Sequence, residues 1–529
     1  MITEFLSEET SAKNLSEVIV GQVIGATTLR NFNFVIKKGM EHYVKRDEFV
    51  SVEEAVTGNE IIGVVKEITI SNELLPDEFG RDLRMANILL LEGEYPVSTV
   101  KILGSWNGKS LEMPKYGIKP GSAVKLTSDE TLMKILQQDI EKAAFIGTLS
   151  SRETVPVYVS INEIVSRHLA ILAMTGAGKS YTVGVIIEEI MKKNGAVVVF
   201  DLHGEYRDIS LPFSKVRIFS FDEESESKLK IDVSSLHASD FSTLIPDITP
   251  LQRDLLEEIL NLASKFYSSY DLSTILFILN TMYDIKKENG YKSALSKEIP
   301  CYDLLKSMVR NVNISTLSAL IRRLRRLEKT GIFCSKGTPI EEIVKRNQLT
   351  VIDLSDVNEK ISEVILSAIC RKIFLARKQY VRSRENGLSS PVLIVIEEAH
   401  NFAPRNLEVS INASRGVLRR IAREGRKFGV GLCLVSQRPS KLDADILSQC
   451  NSQIILRVVN PSDQEYIKQS VETVTEDIVK DLPSLGRGEA ILTGSFINVP
   501  ISVKIRERET EFGGKDIDVV SEWNSETSG

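Results

Sequence analysis

Short, uninterrupted apolar runs recur from the middle of this chain to its end: HLAIL, AVVVFD, TVIDL, VLIVIEE, VGLCLVSQ and SQIILRVV, separated by helical patterns. A strand without polar alternation is buried on both faces. Strands of that kind spaced by helices form a parallel sheet covered on both sides. This requirement sets an α/β class for the chain after about residue 165. Upstream the texture differs. In GQVIGATTLRNFNFVIKK, Phe32, Phe34 and Ile36 alternate with Asn31, Asn33 and Val35, and IIGVVKEITISN and SAVKLTSDE repeat the two-residue period. The pattern predicts a small β-barrel or sandwich.

Between about residues 249 and 345 the strand patterns stop. Thr249-Pro250 reads as a helix start and Asp271 as a second N-cap; Leu317, Leu320, Ile321, Leu324 and Leu327 line one helical face that Gly331 ends. The expected organisation is an N-terminal β region (1–145), an α/β core in two parts (146–248 and 346–505), an all-helical insert between them (249–345) and a polar C-terminal arm (506–529). A chain of 529 residues exceeds what one hydrophobic core normally serves, which fits several units.

The 42% hydrophobic and 26% charged content is that of a globular protein. The five cysteines have no C-x-x-C spacing, as expected of reduced thiols in a cytoplasmic protein. The start, MITEFLSEETSAKN, is acidic, and no apolar run approaches the roughly 18 residues of a membrane span, so no membrane association is expected. A net charge of −6 does not advertise a polyanion partner, although a local basic channel can sit inside an acidic particle.

The stretch LAILAMTGAGKSYT carries the chemistry. A strand, a glycine-rich turn and a helix opening with Lys-Ser make a phosphate cradle: backbone amides face the phosphates, Lys179 reaches the terminal ones, and the Ser180 hydroxyl binds Mg²⁺. The expected nucleotide contacts are Ala173, Thr175, Gly176, Ala177, Gly178, Lys179, Ser180 and Tyr181. Ala173 stands where the pattern G-x-x-x-x-G-K-[ST] has its first glycine, a change compatible with a negative φ at the strand end. In PVLIVIEEAH, neighbouring carboxylates on a strand point to opposite faces, so Glu397 is assigned to the Mg²⁺ shell and Glu398 to polarising the attacking water. Gln437, ending VGLCLVSQ, is placed to sense the γ-phosphate, and Asp201, ending AVVVFD, stands at the same catalytic edge. His203 and His400 have no ligand cluster around them and read as structural.

The helix NASRGVLRRIAREGRKFG carries Arg415, Arg419, Arg420, Arg423, Arg426 and Lys427. Most of these read as a solvated face, with Arg423 or Arg426 a candidate to be supplied in trans to a neighbour's transition state in an oligomer. Arg322, Arg323, Arg325 and Arg326 on the insert read as solvated or interface residues.

Together, RHLAILAMTGAGKS, DLHGEY, VIDLS, VLIVIEEAH, AREGRKFGVGLCLVSQRPS and GRGEAILTGSFINVPISVKIR resemble the HerA family of hexameric DNA translocases, within the wider group that includes FtsK. The resemblance covers nearly the whole chain and implies a RecA-like P-loop ATPase core with an N-terminal barrel. It also implies a homohexamer that uses ATP and Mg²⁺ to drive double-stranded DNA through a channel, acting with the NurA nuclease in end resection for recombinational repair. It further implies nucleotide sensing by Arg167 and places DNA contacts in the loops after the Glu398 and Gln437 strands, with Arg405, Arg438 and Lys441 as candidates. Two other classes compete. A P-loop ATPase that moves protein would turn over ATP without regard to duplex DNA, and a nucleotide-gated scaffold is disfavoured by the presence of both Lys179 and Glu398.

Overall fold

Strand alternation closes the N-terminal segment on itself. In the computed structural model, β1 (Ile19–Ile24), β2 (Asn31–Ile36), β3 (Phe49–Glu53), β4 (Glu60–Asn72), β5 (Glu94–Trp106) and β6 (Ala123–Leu126) pair antiparallel in the order β2-β1-β6-β3-β4-β5, and β5 returns to β2. Phe32, Phe34 and Ile36 point inward at 3% exposure or less, while Asn31 and Asn33 face outward. Closure pairs each of these six strands on both sides. The structure describes residues 18–72, 94–221, 227–287, 302–406 and 412–511, with Val519 and Trp523; the acidic start, Cys301 and most of the expected arm lie outside them.

The compact unit built on this barrel extends beyond the N-terminal segment, taking in residues 145–159 and 489–506. There β7 (Ala143–Leu149) and β8 (Pro156–Ser160) join an antiparallel hairpin of Glu489–Gly494 and Ile501–Ile505, with Val503 opposite Leu149. The sequence reading gave residues 489–505 to the α/β core. The alternating burial of Ile501, Val503 and Ile505 is that of an antiparallel strand with one covered face.

The second unit holds the parallel sheet: β9 (Leu169–Leu172), β10 (Ala196–Asp201), β11 (Lys215–Phe219), β12 (Gln348–Asp353), β13 (Val392–Ile396), β14 (Val430–Ser436) and β15 (Ser452–Ile455). Their order is β11-β12-β10-β13-β14-β9-β15, all parallel. Every residue of β9, β10 and β13 is buried, as their uninterrupted apolar runs require. The consequence for function lies in the order: β14 separates β9 from β13, so the loops after all three open side by side at one edge.

Helix α1 (Lys179–Lys192) follows β9. The insert comprises α2 (Pro250–Phe266), α3 (Leu272–Lys287), α4 (Tyr302–Val309) and α5 (Ile314–Glu328). Thr249 caps α2 in a reciprocal box with Gln252, and Leu317, Leu320, Ile321, Leu324 and Leu327 are the buried stripe of α5. The insert is not wholly free of strand, since Phe333–Cys334 pairs with Ile231–Asp232. Helices α6 (Glu359–Ser383) and α7 (Ala413–Glu424) pack together against the sheet. Among the described residues no helix is long and apolar enough to cross a membrane.

The segment after the last strand docks on α1. Glu188, fully buried, accepts from the backbone N–H of Glu509 (3.1 Å) and Thr510 (3.0 Å) and lies 3.6 Å from the Arg508 guanidinium. The Tyr181 hydroxyl accepts from the Arg508 N–H at 2.7 Å.

Candidate active site at the carboxyl edge of the parallel sheet

The phosphate loop gets its shape from two glycines. Gly176 (φ 77°) and Gly178 (φ 102°) occupy the left-handed region, where a Cβ is strained whatever space surrounds it. Ala173 has no such φ and is fully buried at the end of β9, its N–H donating to the Ser436 carbonyl at 3.2 Å. Met174 donates to Arg457 O at 2.8 Å. The loop is thus slung between the ends of β14 and β15. It leads into α1, whose unpaired N-terminal amides and dipole favour an anion.

Glu397 and Glu398 lie not on β13, as the sequence suggested, but in the turn that follows it, and Glu398 has a φ of 45°, an uncommon backbone conformation for a residue with a long side chain. Its Oε1 lies 3.8 Å from Lys179 Nζ, and both side chains are nearly buried. Oε2 lies 3.3 Å from His400 Nδ1. Gln437, one residue beyond β14, accepts a hydrogen bond on Oε1 from the Thr175 hydroxyl of the phosphate loop. Lys179, Glu398, Gln437 and Thr175 are therefore brought together.

Glu397 is wholly buried and accepts from the Tyr206 hydroxyl at 2.5 Å; burial pushes its carboxyl up to about 8. An acid held in that state gains from a nearby divalent charge, which favours its ionised form. No cluster of three or more His, Cys, Asp or Glu side chains that could hold a metal occurs among the described residues. A phosphate-bound Mg²⁺ does not need one, since water and phosphate oxygens complete its octahedron. The residues present fit such an ion, which the Ser180 hydroxyl, and Glu397 through water, would hold.

Asp201 requires a correction. It does end β10 at this edge, but its carboxylate accepts from the backbone N–H groups of His203 (3.1 Å), Gly204 (3.0 Å) and Tyr206 (2.9 Å). Those bonds fold DLHGEY so that Tyr206 reaches Glu397, which makes Asp201 a loop-forming residue. Arg167 pairs with Glu163 one turn back at 3.1 Å.

Two groups stand out among the arginines of α7 and the turn that follows it. The charge run suggested a solvated face, but Arg415 and Arg419 clamp the buried Asp443 at 2.5 and 2.8 Å. Arg423, with 63% of its side chain exposed and a 3.7 Å pair with Asp445, and the exposed Arg426 face outward. His168 pins the end of this helix. Leu432 N–H donates to its Nδ1 (3.0 Å), so Nε2 carries the proton and donates to Ala422 O (3.0 Å). Burial holds this imidazole down at about 4.

Arg405, Arg438 and Lys441 line one cleft of about 650 Å³ with His400, Asn401 and Ser440. Its two loops are tied by Arg405 N–H donating to Lys441 O (2.8 Å), and Arg405 stacks over Tyr466 at 4.6 Å. Glu363 lines the same cleft, its carboxyl raised to about 7 by burial.

Sequence reasoning missed Tyr206, His168 and the Glu188–Arg508 contact. The one signal present was Glu188 itself, a charge inside the apolar helix VGVIIEEIM.

Two family models match the chain: "Helicase HerA, central domain" over residues 144–373 and "Helicase HerA-like C-terminal" over residues 284–503. The chain is 33% identical to the DNA double-strand break repair helicase HerA of Pyrococcus furiosus, covering 96% of this chain and 97% of that protein. It is 32% identical to the protein of the same name from Saccharolobus solfataricus, covering 96% of each. Among solved structures, VirB4 of Thermoanaerobacter pseudethanolicus aligns at 15% identity and a TM-score of 0.46, covering 71% of this chain and 98% of that one.

Proposed function

The chain belongs to the HerA helicase family, and on that premise we propose that it is a homohexameric motor that hydrolyses ATP to pump double-stranded DNA, acting with a NurA nuclease in end resection during double-strand break repair. The observation that carries the reading is the meeting of Lys179 and Glu398 at 3.8 Å across the two loops that flank β14. A phosphate-binding lysine and a catalytic-edge carboxylate held this close put the grip on a terminal phosphate and the base for its attacking water in one site, and the nucleotide would part them as it enters.

In this mechanism the loop amides from Thr175 to Ser180 and Lys179 neutralise the triphosphate. Glu398 orients the water and draws off its proton. Gln437 exchanges Thr175 for the γ-phosphate and so reports whether it is present. A Mg²⁺ ion held by Ser180, with Glu397 behind its water shell, would offset charge on the phosphates. Arg423 or Arg426, which face outward on their own chain, complete a neighbour's site and stabilise the leaving charge, a contribution of about 10³ to 10⁵ in rate in this class of chemistry. Arg405, Arg438 and Lys441 contact the DNA backbone in the channel.

The test is ATP turnover with and without duplex DNA, run beside particle mass in solution. A hexamer whose turnover rises with duplex DNA is expected. A monomer indifferent to DNA defeats the reading.

A further inference from the structure

The segment after the last strand is fitted to the helix that carries the phosphate loop, and both belong to the parallel-sheet unit. Along α1, Tyr181, Gly184 and Glu188 share a face, three and four residues apart, and each meets residues 508–510. The Tyr181 hydroxyl accepts from Arg508 N–H at 2.7 Å. A Cβ at Gly184 would overlap the Arg508 guanidinium, so the glycine is what seats that side chain, which is 3% exposed. The Glu188 carboxylate, closed off from water, accepts from the N–H groups of Glu509 and Thr510 and from the Thr510 hydroxyl at 2.5 Å. That hydroxyl oxygen in turn accepts from Arg508 Nη2 at 2.8 Å. Lifting the segment would break these bonds together and leave a carboxylate unpaired in the interior, which is costly. The first turn of the same helix is the phosphate site. Tyr181 directly follows Ser180, and the Thr182 hydroxyl donates to Gly178 O at 2.9 Å, fastening the turn to the loop's last glycine. The segment and the nucleotide thus act on one short element.

We propose that Arg508, Glu509 and Thr510 are positioning residues for the nucleotide: docked on α1, they hold its first turn in the conformation that grips phosphate, and bound nucleotide in turn holds them docked. The relation is reciprocal by thermodynamic necessity. The factor by which docking tightens nucleotide binding is the factor by which nucleotide tightens docking. The inference rests on the reading of LAILAMTGAGKSYT as the nucleotide site.

Gly184→Ala is the discriminating variant, because it unseats Arg508 while favouring the helix itself. Thr510→Val, which removes the hydroxyl shared by Glu188 and Arg508, is the second and stands in if the first chain fails to fold. On the full chain, MgADP affinity is measured by titration, kcat and KM for MgATP by steady-state turnover, and docking by deuterium uptake of the peptide that contains residues 508–510. The barrel peptide around Phe34 is the control. In the wild type, saturating MgADP is expected to slow exchange in the 508–510 peptide about tenfold, within the range usual for coupled sites, and to leave the barrel peptide unchanged. Both variants should exchange fast there, bind MgADP about tenfold more weakly, and show a raised KM with kcat near that of the wild type. A segment that only braced the fold would be protected equally with and without nucleotide. Uptake that ignores MgADP, variants that release the segment yet bind MgADP as the wild type does, or variants that leave the segment protected overturn the proposal. A wild type that binds no MgADP sinks the nucleotide-site reading instead, whether or not the variants release the segment.

Discussion

The loop after β9 and the loop after β13 open at the same sheet edge and reach uncommon backbone conformations by opposite means. The phosphate loop does so locally, with glycines at φ 77° and 102° and backbone hydrogen bonds to the ends of β14 and β15. Glu398 has no glycine's freedom. It sits at 45° with Ala399 N–H held by Val435 O and Glu397 N–H by Phe200 O, at 2.9 and 3.2 Å, and its side chain is met by Lys179 and His400. The first geometry is written into a short stretch of sequence. The second is imposed by the surrounding fold, and strain of that kind persists only where neighbouring structure over-determines it.

The sharpest break of the comparison separates grip from chemistry. Lys179→Ala is expected to lose both nucleotide affinity and turnover. Glu398→Gln keeps affinity while kcat falls by at least about 10³, a loss of the order of 4 kcal/mol in transition-state stabilisation. Nucleotide binding and steady-state turnover on the two variants decide it. Unchanged turnover in Glu398→Gln would falsify the catalytic assignment.

The phosphate loop's local character is itself open to attack from a distance. Arg508 and Thr510 stand more than 300 positions from Glu188, yet they hold α1 in place. Removing one partner of a buried charged pair costs about 3–5 kcal/mol, so Arg508→Met should lower the unfolding free energy by that order. Truncation after residue 506 should do the same, both read by denaturant unfolding. If neither changes stability, the phosphate loop is as self-sufficient as its sequence motif implies.

That contrast also explains what could be read from sequence. Apolar runs and glycine placement gave the parallel sheet, the cradle and the insert, because each depends on residues within one turn or strand. The carboxylates of PVLIVIEEAH were legible as a pair, but their surroundings were not: Tyr206, placed by Asp201, meets Glu397, while Lys179 and His400 stand beside Glu398. The pairing of Ile501–Ile505 with β7 on one side and Glu489–Gly494 on the other was hidden for the same reason: strand periodicity reveals a face but not its partner. Arg415 and Arg419 looked like solvated charge because Asp443 lies more than twenty residues away in sequence.

His168 gives a pH-dependent version of the test. Its imidazole titrates at about 4 in the folded chain and at 6.5 when free. Above 6.5 both states are neutral. Between 6.5 and 4 the unfolded chain binds a proton that the folded chain refuses, so stability is lost as pH falls through this window, by up to about 3 kcal/mol at its lower end. Thermal unfolding from pH 8 to 4 should show that slope reduced in His168→Asn, since asparagine tolerates the residue's φ of 63° and does not titrate. An unchanged slope means that His168 does not hold the end of the arginine helix through its neutral form.

The smallest expected effect lies inside the phosphate loop. Gly178→Ala meets only ordinary contacts, 3.7 Å to Leu456 Cδ2 and 3.9 Å to Gly488 N, so its cost comes from φ alone, about 1–2 kcal/mol, with turnover falling as the loop shifts. Ala173→Gly restores the glycine of the motif at a site that does not need it. It gives up a buried methyl and adds backbone freedom to the unfolded chain, together a loss of about 1–2 kcal/mol in stability, with no gain in turnover. Comparing the two variants for unfolding free energy and kcat tests whether the loop needs glycine for conformation at one position and merely tolerates alanine at the other. A faster Ala173→Gly enzyme would show that the alanine constrains a loop that moves during turnover, and the phosphate side would then also owe its geometry to more than its own glycines.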